Sequence, residues 1–124
     1  GGMTFGPHTV THPVLSRTPD DQSRSELTEG WQRLSAEAAH PIRVFCYPNG
    51  QLSDFGPREM DTLIALEFIG AVVGTHGYAD GARFRQDRYQ PFQVRRFSYP
   101  ESTATLLQAT SGVERAKQLI RREA

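Results

Sequence analysis

Two histidines four residues apart, His8 and His12 in the run Gly6-Pro7-His8-Thr9-Val10-Thr11-His12-Pro13, constrain this backbone more than any other feature. A β-strand rises about 3.3 Å per residue, so residues i and i+4 share a face but lie roughly 13 Å apart. Zinc–nitrogen bonds of about 2.0–2.1 Å need two ligating nitrogens within roughly 3.4 Å, so the chain must turn if both imidazoles serve one ion. Pro13 biases His12 away from the right-handed helical region, which suits the last residue of a turn. The expected geometry is a short strand ending at His8, a tight bend through Thr9 to Thr11, and His12 returned beside it. Strand ends are where α/β folds place their chemistry. The plainer reading of a bare HxxxH pair is two exposed polar loop histidines.

Acidic and basic residues balance at 14 each, so the formal net charge is zero. That excludes the electrostatic footprint of a nucleic-acid binder or of a protein drawn to an anionic membrane. No apolar run approaches the ~20 residues that span a bilayer. The chain opens without the charged, apolar and small-residue series of an export signal, which would then lie upstream. With 124 residues it can bury one core. A single cysteine, Cys46, excludes an internal disulfide and leaves the redox compartment open. Gly1-Gly2 reads either as a tag remnant or as glycines ending a preceding helix.

Strands and helices alternate along the chain. Met3 to His8 is expected to be a strand. Thr18-Pro19-Asp20-Asp21 starts a helix, with Thr18 as N-cap, Pro19 at its first position and acids in its first turn. Leu27, Trp31, Leu34 and Ala38 recur at helical spacing as its packing face, so Trp31 belongs to the core rather than to a sugar platform. Pro41 stops the helix. Ile42 to Tyr47 is β-rich and closed by the turn Pro48-Asn49-Gly50. A second helix starts near Pro57 and turns Met60, Leu63 and Ile64 inward. Ile69 to Val73 is a continuous apolar strand of the kind covered on both faces. Gly77 to Gln90 is a polar loop, and Phe92 to Phe97 is another strand. Ser102 or Thr103 caps a helix to Ala109, and Gly112 separates it from a terminal helix carrying Val113, Ala116, Leu119 and Ile120. This alternation implies parallel strands joined by crossovers in one α/β domain.

The stretch from Gly2 to Ser16 resembles the metal-binding motif G-x-H-T-x-T-H-P-x-L-S of the polysaccharide deacetylases with a NodB-homology domain. Phe45-Cys46-Tyr47-Pro48-Asn49-Gly50 looks like that family's F-x-Y-P-x-G segment, at the right distance. More weakly, Val94-Arg95-Arg96-Phe97 is similar to its L-P-R-I segment. The resemblance implies that residues 1–124 form the C-terminal part of an irregular (β/α) barrel of the glycoside hydrolase/deacetylase type, lacking its N-terminal strands. It also implies that an upstream segment of the same domain, or a neighbouring chain, covers the open sheet edge. The family's T-F-D-D strand, source of its catalytic base and third metal ligand, has no counterpart before His8. Asp20-Asp21, in a helix start, does not replace it.

The resemblance further implies metal-assisted hydrolysis of N-acetyl or O-acetyl groups on a polysaccharide or oligosaccharide, in the cell envelope or outside the cell. His8 and His12 would hold a divalent metal, zinc above others. Tyr47, Pro48 and Asn49 would contact substrate, and a backbone N–H of the Pro48-Asn49-Gly50 turn would meet the oxyanion. In the better-known subgroup this segment reads R-P-P-Y-G, so Cys46 stands in place of an arginine and Asn49 in place of a tyrosine. Arg96 is expected to take over the arginine's role. For the late histidine that usually serves as leaving-group acid, His76 is a weak substitute and His40 a weaker one. Without its aspartates the chain alone is expected to be inactive. The alternative is a non-catalytic carbohydrate- or partner-binding module on the same fold.

Overall fold

The computed structural model describes residues 2–113, 115–117 and 120; Gly1 and Leu119, named above, lie outside them. Helix α1 (Asp20–Glu37), strand β1 (Val44–Cys46), helix α2 (Pro57–Ala65), strands β2 (Gly70–His76) and β3 (Val94–Arg96) and helix α3 (Thr103–Thr110) follow in chain order. The strands form one parallel sheet in the order β1-β2-β3. Phe45 stands opposite Ala71 and Cys46 opposite Val72 in its register.

One face of the sheet carries the core. Phe45, Ala71 and Val73 are fully buried there with Leu27 of α1 and Met60 and Leu63 of α2. Trp31 meets Phe68 edge to face at 5.4 Å, with the Arg43 guanidinium 4.7 Å over its ring. Val44, Cys46 and Val72, on the opposite face by the two-residue alternation of strands, are only half-buried. The reading of β2 as covered on both faces therefore holds for one face among the described residues. Ile69 falls outside the strand and is 74% exposed.

Ser23 and Glu59 are buried beside this core. Glu59 accepts from Ser23 Oγ at 2.7 Å, from the Gly56 N–H at 2.8 Å and from Arg58 Nε at 2.7 Å. Arg58 also pairs with Asp20 and donates to the Leu15 carbonyl at 2.8 Å, so α1 and α2 are tied at their N-terminal ends. A buried carboxylate is tolerated when its lone pairs are met in this way.

Three expected elements differ. Thr18 does not cap α1; its hydroxyl donates back to the Leu15 carbonyl at 2.7 Å, closing a short 3-10 turn over Leu15–Arg17, and Pro19 precedes the helix. Met3 to His8 is extended but makes only one isolated parallel bridge, Phe5 to Pro41. Pro7 and Pro41 have no N–H to offer a ladder, so pairing along β1 reduces to Phe5 with its neighbours and to the Cys46 N–H donating to the Pro7 carbonyl at 3.1 Å. The strand expected over Phe92 to Phe97 is confined to Val94–Arg96, after a 3-10 turn over Gln90–Phe92.

Candidate functional site

The segment after Pro7 leaves the sheet at His8 and turns back on itself. Thr9 has φ 66° and His12 has φ 59°, both in the left-handed region that a β-branched threonine adopts only when surrounding contacts impose it. The His12 N–H donates to Thr9 Oγ1 at 3.1 Å and closes the bend. The two imidazoles end with ring centroids 4.8 Å apart, edge to face at 71°, both exposed. His12 is thus outside the right-handed region, as the following proline favours.

His8 is oriented from the sheet. Its Nδ1 lies 2.6 Å from the carbonyl oxygen of Cys46, the last residue of β1. A carbonyl can only accept, so Nδ1 carries the proton and the Nε2 lone pair is free to ligate. The two rings are thus neighbours, with the Nε2 of His8 the nitrogen left unengaged. Among the described residues no group of three or more His, Cys, Asp or Glu comes together.

The bend is held from below by Glu26, a residue that hydrophobic periodicity passes over. It reaches from α1 and accepts from the Val10 N–H at 2.8 Å, the Thr11 N–H at 2.9 Å and Thr11 Oγ1 at 2.5 Å, while only 6% exposed. Burial pushes its carboxyl up. The bonds from Thr11 and Val10, with the charge of Arg33, outweigh that and hold it below the ordinary value. Gly30, one turn further along α1, lets the helix touch the bend, since a Cβ there would stand 3.2 Å from the Thr9 carbonyl carbon. The signal in the sequence was a run of small or polar residues, Ser23, Glu26 and Gly30, at the helical spacing of Leu27.

After β1 the chain forms a second tight turn at the same end of the sheet. Asn49 has φ 58° and the Gly50 N–H donates to the Pro48 carbonyl at 2.6 Å. Gly50, at φ 76°, is locked against β2: it accepts from the Gly74 N–H at 2.8 Å, and a Cβ on it would come within 2.5 Å of that nitrogen. Proline has no N–H and that of Gly50 is engaged, which leaves the exposed Asn49 N–H as the turn's donor without an acceptor among the described residues.

The remaining sequence-derived residues separate. Tyr47 is 1% exposed and stacks on Phe55 at 3.7 Å, so it supports the turn from within the core and offers no ring surface to a ligand. Its hydroxyl is buried without a partner among the described residues, and burial followed by the nearby Glu59 charge pushes its ionisation far up. Pro48 is buried too. Arg96, at the end of β3, is exposed and directs Nη1 at Cys46 Sγ, 3.6 Å away, so its guanidinium sits over the residue whose carbonyl holds His8. His76 pairs in register with Arg96 and packs on Phe97 at 4.5 Å. His40 is exposed on the connection into β1.

No curated protein matches this chain. Among solved structures it is similar to the Streptococcus pyogenes deacetylase PplD in complex with acetate, with a TM-score of 0.71 at 24% identity. That likeness covers 87% of this chain and 45% of PplD, so this chain spans less than half the length of that protein. At that identity it shows a shared fold. The polysaccharide deacetylase family model matches residues 1–63, just over half of the 124, and spans the His8–His12 bend, β1 and the Asn49 turn. This mixed α/β chain belongs to the polysaccharide deacetylase family.

Proposed function

We propose that this chain is the metal-holding and substrate-facing part of a carbohydrate deacetylase, a hydrolase that removes N-acetyl or O-acetyl groups from a polysaccharide or oligosaccharide. The observation that carries this reading is the His8–His12 pair, 4.8 Å between centroids, with His8 fixed by the Cys46 carbonyl. In this reading the three-stranded sheet is part of a (β/α) barrel whose half-buried face looks inward. Further strands of the same domain, or a neighbouring chain, complete it. The polymer substrate places the reaction in the cell envelope or outside the cell.

His8 and His12 would hold a divalent metal, zinc by the preference of neutral imidazoles. Such an ion supplies Lewis acidity toward an acetyl carbonyl and a water. The chain's own residues do the rest of what is visible. His8 keeps its proton on Nδ1 through Cys46 and presents Nε2. The Asn49 N–H donates to the acetyl oxygen as negative charge develops there, a contribution of roughly 2.7–4 kcal/mol for an oxyanion donor. Arg96 supplies a guanidinium beside Cys46 to orient a carboxylate base or to favour the developing anion. Such a base stands outside this set of residues, so the chain alone is expected to bind more readily than it hydrolyses.

Titration of the zinc-loaded chain with an N-acetylglucosamine oligomer, followed by amide and side-chain NMR, tests the reading. Shifts concentrated at His8, His12, Cys46–Gly50 and Arg96 are expected. No shifts, or shifts confined to another surface, would contradict it; shifts there that need no metal would favour the non-catalytic binding module.

A further inference from the structure

We propose that Glu26 is the positioning residue of the histidine pair, acting through the Thr9–Thr11 bend rather than by touching a ligand; the proposal rests on reading His8 and His12 as ligands of one metal ion. The bend is costly on its own, because Thr9 and His12 both lie at positive φ. Only His12 N–H to Thr9 Oγ1 closes it internally. Glu26 adds three bonds from outside, to the N–H of Val10, the N–H of Thr11 and the Thr11 hydroxyl. Those donors lie between the two histidines in sequence, so their position sets how far His12 returns toward His8. Both carboxylate oxygens of Glu26 are turned to the bend: Oε2 takes both amides and Oε1 takes the hydroxyl. A glutamine keeps the shape without the charge: its Oε1 can accept the two amides while its NH2 donates to Thr11 Oγ1, a hydroxyl that also accepts, so it weakens the seat less than alanine does. Gly30 completes the seat by letting the same helix face contact Thr9. Glu26 thus holds the loop between the two histidines without touching either ring, and loss of groups that orient metal ligands typically lowers metal affinity about 10–100-fold.

The test is a zinc titration of the full chain read on the ring protons of His8 and His12, with hydrogen exchange of the Val10 and Thr11 amides measured without metal. Glu26→Ala should raise the apparent zinc Kd about 10–100-fold and Glu26→Gln by less, and both should speed exchange at Val10 and Thr11. Ser23→Ala, three residues before Glu26 on α1, removes the bond to Glu59 of α2 and should lower stability while leaving the zinc Kd unchanged. If Glu26→Ala fails to fold, Glu26→Gln carries the comparison. A wild-type zinc response that is unchanged in the folded Glu26 variants would overturn this proposal alone. No zinc response at either histidine of the wild type would overturn the metal reading and this proposal with it.

Discussion

The Nδ1–H of His8 is bonded to the carbonyl of Cys46 at 2.6 Å, across 38 residues of sequence. The bond joins the two motifs that carry the family likeness: the bend before α1 takes its orientation from the end of β1. Because the acceptor is backbone, the side chain at position 46 is free to differ without releasing the histidine. Neutral His8 should therefore be the Nδ1–H tautomer, in wild type and in Cys46→Ala alike. Nitrogen-15 shifts of the ring decide it, and a proton on Nε2 would contradict the orientation.

Tyr47→Phe should leave stability unchanged or raise it. The hydroxyl is buried with no partner among the described residues, and an unmet buried polar group costs about 1–3 kcal/mol, whereas the ring and its stack on Phe55 are kept. Urea denaturation gives the comparison; a loss above about 1 kcal/mol would show that the hydroxyl is satisfied in solution.

Gly50→Ala should destabilise the chain by more than the usual glycine replacement. Position 50 needs φ 76°, which costs an L-residue about 1–2 kcal/mol, and the added carbon would meet the Gly74 nitrogen at 2.5 Å. The same change should move the Asn49 amide resonance, because the turn and β2 must separate. Wild-type stability in this variant would mean that the turn is not seated on Gly74.

Glu26 gives a pH dependence of definite sign. Its folded value lies below its unfolded one, near 4.3 for a free glutamate, so its stabilisation is present in full above that pH and is lost as pH falls through the folded value. The stability gap between wild type and Glu26→Gln should thus be widest near neutrality and shrink in acid. A gap that stays constant or grows toward acid would show that the carboxylate is not the form that holds Val10 and Thr11.

The bend between the histidines was legible because spacing and Pro13 left the backbone few alternatives, and the parallel α/β order followed from alternating apolar runs. Leu27 on α1 and Met60 and Leu63 on α2 were read from periodicity because burial of apolar side chains is what that periodicity records. Residues whose partners come from far away were not legible. Thr18 loses its capping role to a turn whose Leu15 and Thr18 carbonyls are bound by Arg58, some forty residues on. Glu26 reads as a solvent-facing acid until its three donors from the bend are in place. Tyr47 reads as a substrate residue from its motif, but its place two residues after Phe45 puts it on the helix-covered face of the sheet, where Phe55 takes its ring.

The central claim is that His8 and His12 act together on one divalent ion. Isothermal calorimetry of zinc binding to the full chain, beside His8→Ala and His12→Ala, tests it most directly. The account predicts saturable binding of one ion per chain that either substitution alone abolishes, because one imidazole cannot replace the pair. Saturable binding that survives both single substitutions, or none in the wild type, would contradict it.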